Sequence, residues 1–193
     1  MKKNSIFLMV FAVFVIFGSL PLYSQQNTGS LSTILDHFAT RNFIAGTIPE
    51  ADLNRIIQAG IRAPSARNLQ PWHFTVVQNP ALAKKVVAQN EDGNVIVVVS
   101  AKGDGRTNNV EILDCALAVQ SIYLAAQALG YGSRIYTGPV NDVNRNLKAE
   151  LSLPKDFNAI AVIRIGKMTT PAPDAVSAAS ARKSVSELVT YKK

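Results

Sequence analysis

The sequence predicts one α+β domain, a sandwich with helices against a mixed sheet, and three observations carry that expectation. Val95 to Ser100 is an unbroken run of β-formers, and Phe74 to Gln78 reads as a second strand of the same kind. Strands of this composition are buried on both faces. Asn109 to Leu129 contains neither Gly nor Pro and is apolar on most faces, which predicts a central helix. Strand and helix signals alternate along the chain without the regular βαβ series that would make an all-parallel sheet.

The elements follow in order. Residues 1–27 precede the domain: Lys2 and Lys3 lead an almost unbroken apolar run from Ile6 to Leu22, followed by Tyr23, Ser24 and two glutamines. That order is a signal peptide, with cleavage expected after Ser24. An uncleaved anchor is the alternative reading, although the run barely spans a bilayer. Either way the remainder is expected outside the cytoplasm, periplasmic or secreted. The division is thus signal 1–24, domain 25–168 and a C-terminal arm 169–193. Leu31, Ile34, Leu35 and Phe38 recur at helical spacing, and Thr47, Pro49 and Glu50 form a capping-box start for a helix ending near Arg62. Ala63-Pro64-Ser65 breaks that helix. After the first strand, Asn79-Pro80 starts a helix to about Gln89, and Gly103-Asp104-Gly105 is a loop. Gly130 stops the central helix, Ser133 to Tyr136 is a short strand, a helix capped by Asn141 runs to Leu151, and Ala159 to Ile165 is the last strand. Residues 169–182, with Pro171, Pro173 and many Ala and Ser, form an extended arm. The central helix is too apolar to be solvated on every side, so part of it is expected to face a second subunit.

The formal charge is +7, or +5 without Lys2 and Lys3, and the basic residues are scattered without interleaved aromatics. That describes a solvated surface rather than a nucleic-acid groove. The single cysteine, Cys115, excludes an intramolecular disulfide and reads as a core thiol. Conventional catalytic groups are scarce. His37 and His73 lie on different elements, there is no Ser-His-Asp order, no metal-spaced Cys/His set, no phosphate-cradling G-x-x-x-x-G-K-[ST] loop and no G-x-G-x-x-G after a strand. A cofactor would have to do the chemistry.

The informative segment is APSARNLQPWHFTVV, Ala63 to Val77. It offers Ser65, Asn68 and Gln70 as uncharged hydrogen-bonding groups on a rigid loop anchored by Trp72, a set suited to a flat heteroaromatic ring or a polyol. Upstream stand Arg41-Asn42-Phe43 and Ile48-Pro49-Glu50; downstream stand LGYGSRIYTG (Leu129 to Gly138), LSLP (Leu151 to Pro154) and the strand end IRIG at Gly166.

This order and spacing resemble the FMN-dependent nitroreductase family over about residues 31 to 190. The resemblance implies an α-β-α sandwich that forms an intertwined homodimer with FMN at the interface and the terminal arm embracing the partner. It implies, residue by residue, that Pro64, Ser65 and Asn68, with Gln70 among the cofactor-binding residues, belong to the loop that one subunit lays against the flavin held mainly by the other. Arg41 matches the basic residue at the pyrimidine edge of the ring, Thr137 and Gly138 match the turn whose amides face N5, and Arg182 matches the late basic residue at the phosphate. A guanidinium at that edge stabilises negative charge arriving on reduction. The resemblance departs where the family commonly has Arg-Arg-Ser and this chain has His37, Phe38 and Ala39. The phosphate contacts then fall to Arg182 and Lys183, with His37 as a pH-dependent contact. The implied function is an exported FMN oxidoreductase passing electrons by ping-pong from a donor, NADH or NADPH among the candidates, to a nitroaromatic, quinone or similar small-molecule acceptor. The other reading is a flavin-binding or small-ligand-binding protein of the same fold with little turnover. No metal is implied. Asp174 to Ser180, DAVSAAS, also resembles the D-x-x-[ST]-G-A-T signal of covalent flavinylation, with Ser180 in the acceptor place and departures at Ala178 and Ser180.

Overall fold

The computed structural model describes residues 28–103, 109–169 and 182–192. The signal segment, the Gly103-Asp104-Gly105 loop beyond Gly103, and the DAVSAAS stretch with Ser180 lie outside them. Six helices and four strands are described: α1 (Thr28–Asp36), α2 (Glu50–Ile61), β1 (Trp72–Val77), α3 (Pro80–Val86), β2 (Val95–Lys102), α4 (Asn109–Ala128), β3 (Gly132–Tyr136), α5 (Val140–Asp142), β4 (Phe157–Gly166) and α6 (Val185–Leu188). A 3-10 turn covers Ala66–Asn68, and α5 continues into a π-helical turn at Val143–Leu147.

The strands lie in the order β1-β2-β4-β3. All three ladders are antiparallel, where the sequence reading had a mixed sheet. The reason is visible between β1 and β2. α3 stops at Val86, Val87 is extended, and the chain turns through Asn90–Asn94. It therefore re-enters the sheet at the end it left, pairing Val77 with Ile96.

The unbroken apolar run of β2 is explained by a layer on each face. Val95, Val97, Val99 and Ala101 meet Leu53 and Ile56 of α2 and Cys115, Val119, Ile122 and Ala126 of α4. Ile96 and Val98 meet Ala83 and Val86 of α3, with Val143, Leu147, Leu151 and Leu153 beyond α5. A bulge between Val99 and Ser100 sets Val99 opposite Ala161 and Ser100 opposite Ala159. The extra residue, Ile160, turns Ala161 and Ala159 to opposite faces of the sheet. The α-β-α sandwich is therefore the observed layering. Val110–Ala128 is long and apolar enough to cross a membrane, with a mean hydropathy of 1.2, but its inner stripe packs on the sheet as a core helix.

Two helix starts differ from the sequence reading. α2 begins at Glu50 with Pro49 as N-cap and no side-chain cap, the Pro49 carbonyl accepting from Asp52 N and Leu53 N at 3.0 Å each. Thr47 therefore lies outside the helix and its capping box does not form. α5 starts behind Pro139, because the turn Thr137–Val140 closes first with Val140 N donating to Thr137 O at 3.2 Å. Asn141 is thus inside that helix and not its cap. Asn79 does cap α3 as expected, accepting from Leu82 N at 3.0 Å.

Candidate functional site

Arg41 sits in a segment, Phe38 to Ile44, that threads past the sheet with its backbone held on both sides. Gln127 of α4 treats Phe38 as a strand neighbour would: its Nε2 donates to Phe38 O at 2.8 Å and its Oε1 accepts from Phe38 N at 3.2 Å. Thr40 is buried, its N donates to Ser133 O at 3.1 Å, and its Oγ1 accepts from Ser133 N at 3.1 Å. Ile44 N donates to Lys167 O at 2.9 Å and Thr169 N to Asn42 O at 3.2 Å, and Phe43 bridges to Met168. Arg41 is exposed between these pinned neighbours, so its guanidinium projects from a preorganised backbone. None of Thr40, Gln127 and Ser133 is distinguishable from ordinary polar residues in the sequence, because each acts through a long-range backbone contact.

The loop after α2 has an unusual backbone. Arg67, Asn68 and Gln70 have φ of 51°, 56° and 47°, all left-handed for residues that carry a Cβ. Such strain clusters where function requires a particular backbone shape. Ser65 Oγ accepts from Gln70 N at 3.0 Å, and Gln70 Nε2 donates to Asn68 Oδ1 at 3.3 Å. Pro64, Asn68 and Gln70 are exposed and Ser65 half-buried, so the expected hydrogen-bonding groups are presented, but the exposed Arg67 between them adds a charge to that surface. Trp72 anchors it by stacking on Phe74, centroids 6.3 Å apart. Asp114 of α4, which the sequence reading missed, accepts from Ala66 N through Oδ1 at 3.1 Å and Oδ2 at 3.2 Å.

A third group gathers around Tyr123 of α4. His37 meets the Tyr123 ring edge-on at 5.6 Å, and its Nδ1–H donates to Ile34 O at 2.6 Å, leaving Nε2 as the other ring nitrogen. Burial pushes the Tyr123 hydroxyl up, against a Gln127 hydrogen bond and the charge of Arg182, which favour the phenolate. A cavity of about 240 Å³ opens beside them, lined by Ser32, Thr33, Asp36, His37, Phe38 and Gln127. Thr137 and Gly138 are exposed at the end of β3, and the space where a Gly138 Cβ would stand is open.

The chain therefore brings His37 and the Arg41 segment together around the second half of α4, and it places Pro64 to Gln70 near that helix's start. Asp114 and Tyr123 are about 14 Å apart along the helix axis at 1.5 Å per residue. His73 is an exposed β1 residue edge-on to Phe157, away from these groups. Cys115 is fully buried, and burial first, with Asp114 and Glu111 adding, pushes its thiol up to about 12. A group so far from ionisation is a core thiol, as expected.

The profile described as "Nitroreductase family" matches residues 34–91 and 88–167. The chain belongs to the nitroreductase family. A protein of Archaeoglobus fulgidus described as "Putative NADH dehydrogenase/NAD(P)H nitroreductase" is 30% identical over 62% of this chain and 74% of its own length. Among solved structures, a nitroreductase with bound FMN from Bacteroides fragilis superimposes with a TM-score of 0.69 at 21% identity, covering 85% of this chain and 98% of the other. A protein from Desulfovibrio desulfuricans solved in complex with FMN gives the same TM-score at 25% identity, covering 85% of this chain and 96% of its own. The nitroreductase fold and the α+β sandwich described above are therefore the same architecture.

Proposed function

We propose that this nitroreductase-family oxidoreductase works outside the cytoplasm as an FMN-dependent homodimer, taking electrons from a donor and passing them to a nitroaromatic, quinone or similar acceptor in a ping-pong exchange. The observation that supports it most is the loop Ser65 to Gln70. Three left-handed residues shape it and hold the uncharged Asn68 and Gln70 outward beside Arg67, a surface that suits the heteroatom edges of a flat ring. The Archaeoglobus relative's description as an NAD(P)H nitroreductase and the FMN complexes among the structural neighbours point the same way. Bound FMN supplies the two-electron chemistry.

This chain's residues supply binding and electrostatics. Arg41, on its pinned segment, faces the pyrimidine edge and offsets negative charge there. Asn68 and Gln70, with Ser65 and Pro64, form the wall against the ring. Thr137 and Gly138 offer backbone amides at N5, with open space over Gly138 for a ring to approach. Arg182 and Lys183 are the fixed cations available to the phosphate in place of the missing Arg-Arg-Ser, with His37, edge-on to Tyr123, as a further contact. Exposed apolar residues on α1, α4 and α6 support the homodimer, and the Lys2-Lys3 leader with its apolar run supports export.

Adding FMN to the apo-protein tests the reading. A bound yellow flavin that is bleached by NADH, NADPH or dithionite and reoxidised by a quinone supports the enzyme. The substitution of His37, Phe38 and Ala39 for Arg-Arg-Ser favours the second reading, a flavin-binding protein with little turnover, and tight binding without reoxidation by any acceptor would support that instead.

A further inference from the structure

The loop from Ser65 to Gln70 is held in its left-handed course by contacts of two kinds. Inside the loop, Asn68 N donates to Ser65 O at 3.0 Å, Leu69 N to Ala66 O at 3.1 Å and Gln70 N to Ser65 Oγ at 3.0 Å. These close the turn but do not attach it to the protein. The attachment comes from Asp114, whose two carboxylate oxygens share Ala66 N–H at 3.1 and 3.2 Å. Asp114 is 4% exposed, on the turn of α4 that also carries the fully buried Cys115 and Ala118. A carboxylate at the N-terminal end of the 3-10 turn meets N–H groups that have no partner within the turn, and its low-dielectric setting strengthens a charge-assisted bond.

We propose that Asp114 is the positioning residue of the flavin-facing loop: it selects the left-handed backbone of Arg67, Asn68 and Gln70 and so presents Asn68 and Gln70 to the ring without touching the cofactor itself. The inference rests on the FMN reading above. When one contact selects a binding-competent loop, the apparent ligand affinity falls with the fraction of molecules that keep it. A hydrogen bond to a charged group corresponds to roughly ten- to hundred-fold in that equilibrium.

The test compares the full chain with Asp114→Ala and Asp114→Asn, since Asn keeps one oxygen to accept from Ala66 N and should rescue in part. Amide hydrogen exchange of the apo-proteins comes first. A peptide covering the loop should exchange about ten- to hundred-fold faster in the Ala variant and by an intermediate factor in the Asn variant, while β2 peptides stay protected. FMN titration should then show dissociation constants raised in the same order, and the visible circular dichroism of the bound flavin should change in the Ala variant at saturation. Unchanged loop exchange overturns the proposal whatever the flavin does. Faster loop exchange with FMN affinity and spectrum unaltered overturns it too, reducing Asp114 to a fold contact. Should the Ala variant unfold, the Asn variant alone decides by the same two readouts. A wild-type chain that binds no FMN would overturn the functional reading and the presentation of Asn68 and Gln70 with it. The exchange experiment identifies that case separately, because it uses no flavin.

Discussion

Arg41 shows how a residue with an ordinary sequence signature acquires a definite position. Its neighbours Thr40 and Phe43 are bound to Ser133 and Met168, so the backbone that carries the exposed guanidinium is already ordered and only side-chain freedom remains to be lost on binding. Arg41→Ala should lower the flavin reduction potential and slow reduction more than it weakens binding. One charge-assisted contact is worth about 1.5 to 3 kcal/mol in the reduced state, and about 1.4 kcal/mol corresponds to 30 mV for a two-electron couple. A dye-coupled titration should therefore show a drop of tens of millivolts, and an unchanged potential would place Arg41 away from the ring. Cys115 gives a second residue-scale expectation. Its folded value of about 12 stands above the ordinary 9.0, so its contribution to stability is complete below about pH 9 and is lost as pH rises toward 12. The slope is about 1.4 kcal/mol per pH unit in that window. Alkaline urea melts should show a steeper loss in the native chain than in Cys115→Ala, where the raised tyrosines Tyr123 and Tyr131 still contribute, and the thiol should resist alkylation until the protein unfolds.

At the scale of elements, β4 carries a charge into the core. Arg164 is 4% exposed and lies in register with Arg134 of β3, a like-charge pair across neighbouring strands. Burial pulls its guanidinium down from the ordinary value. The compensation is shared: Asn94 Oδ1 accepts from Nε at 3.0 Å and from a terminal nitrogen at 2.8 Å, Gln89 O accepts at 2.6 Å, the Phe43 ring lies 4.0 Å away, and Tyr136 and Glu91 also favour the charge. Asn94 also donates to Ile44 O at 2.9 Å, joining the entry of β2 to the Arg41 segment. Asn94→Ala should cost about 3 kcal/mol, because it strips acceptors from a buried charge. Urea denaturation checks this, and a loss under 1 kcal/mol would mean that Gln89 and Phe43 suffice. The sequence reading identified β4 but had no means to foresee this arrangement, since Asn94 and Arg164 meet only when β2 and β4 pair.

At the scale of the whole molecule, the exposed apolar residues are too concentrated to be incidental. Leu31, Ile34 and Leu35 of α1, Val110, Leu113 and Leu117 of α4, and Val185, Leu188, Val189 and Tyr191 in and after α6 all face outward, with Leu113 62% and Tyr191 75% exposed. The α4 residues fall at helical spacing on the side opposite the core stripe of Cys115, Val119, Ile122 and Ala126. This is the two-sided apolar helix that the absence of a polar face implied, and a second subunit is its expected cover. Truncation after Lys167 should yield a monomer or an insoluble chain by light scattering. A soluble, intact dimer after that cut would assign the interface to α1 and α4 alone.

What the sequence determined by itself lies in local chemistry. The apolar run of β2, the Asn79-Pro80 start of α3, the uninterrupted α4 and the Gly130 stop, with its φ of 82°, are each specified by the residues that form them. The loop motif from Pro64 to Trp72 was legible for the same reason, since Pro, Ser, Asn and Gln carry their turn preferences with them. Tertiary structure decided the antiparallel pairing, the true start of α2 and the hold on the site. Thr47 has the spacing of a cap, yet Pro49 takes that place, and the helix begins where its first two turns bury Leu53 and Ile56. Asp114, Gln127 and Ser133 meet backbone groups that are dozens of residues away or reached only after the sheet has formed. Hydrogen bonds of that kind depend on where packing brings a carbonyl or an amide, and no local pattern of residues encodes the address.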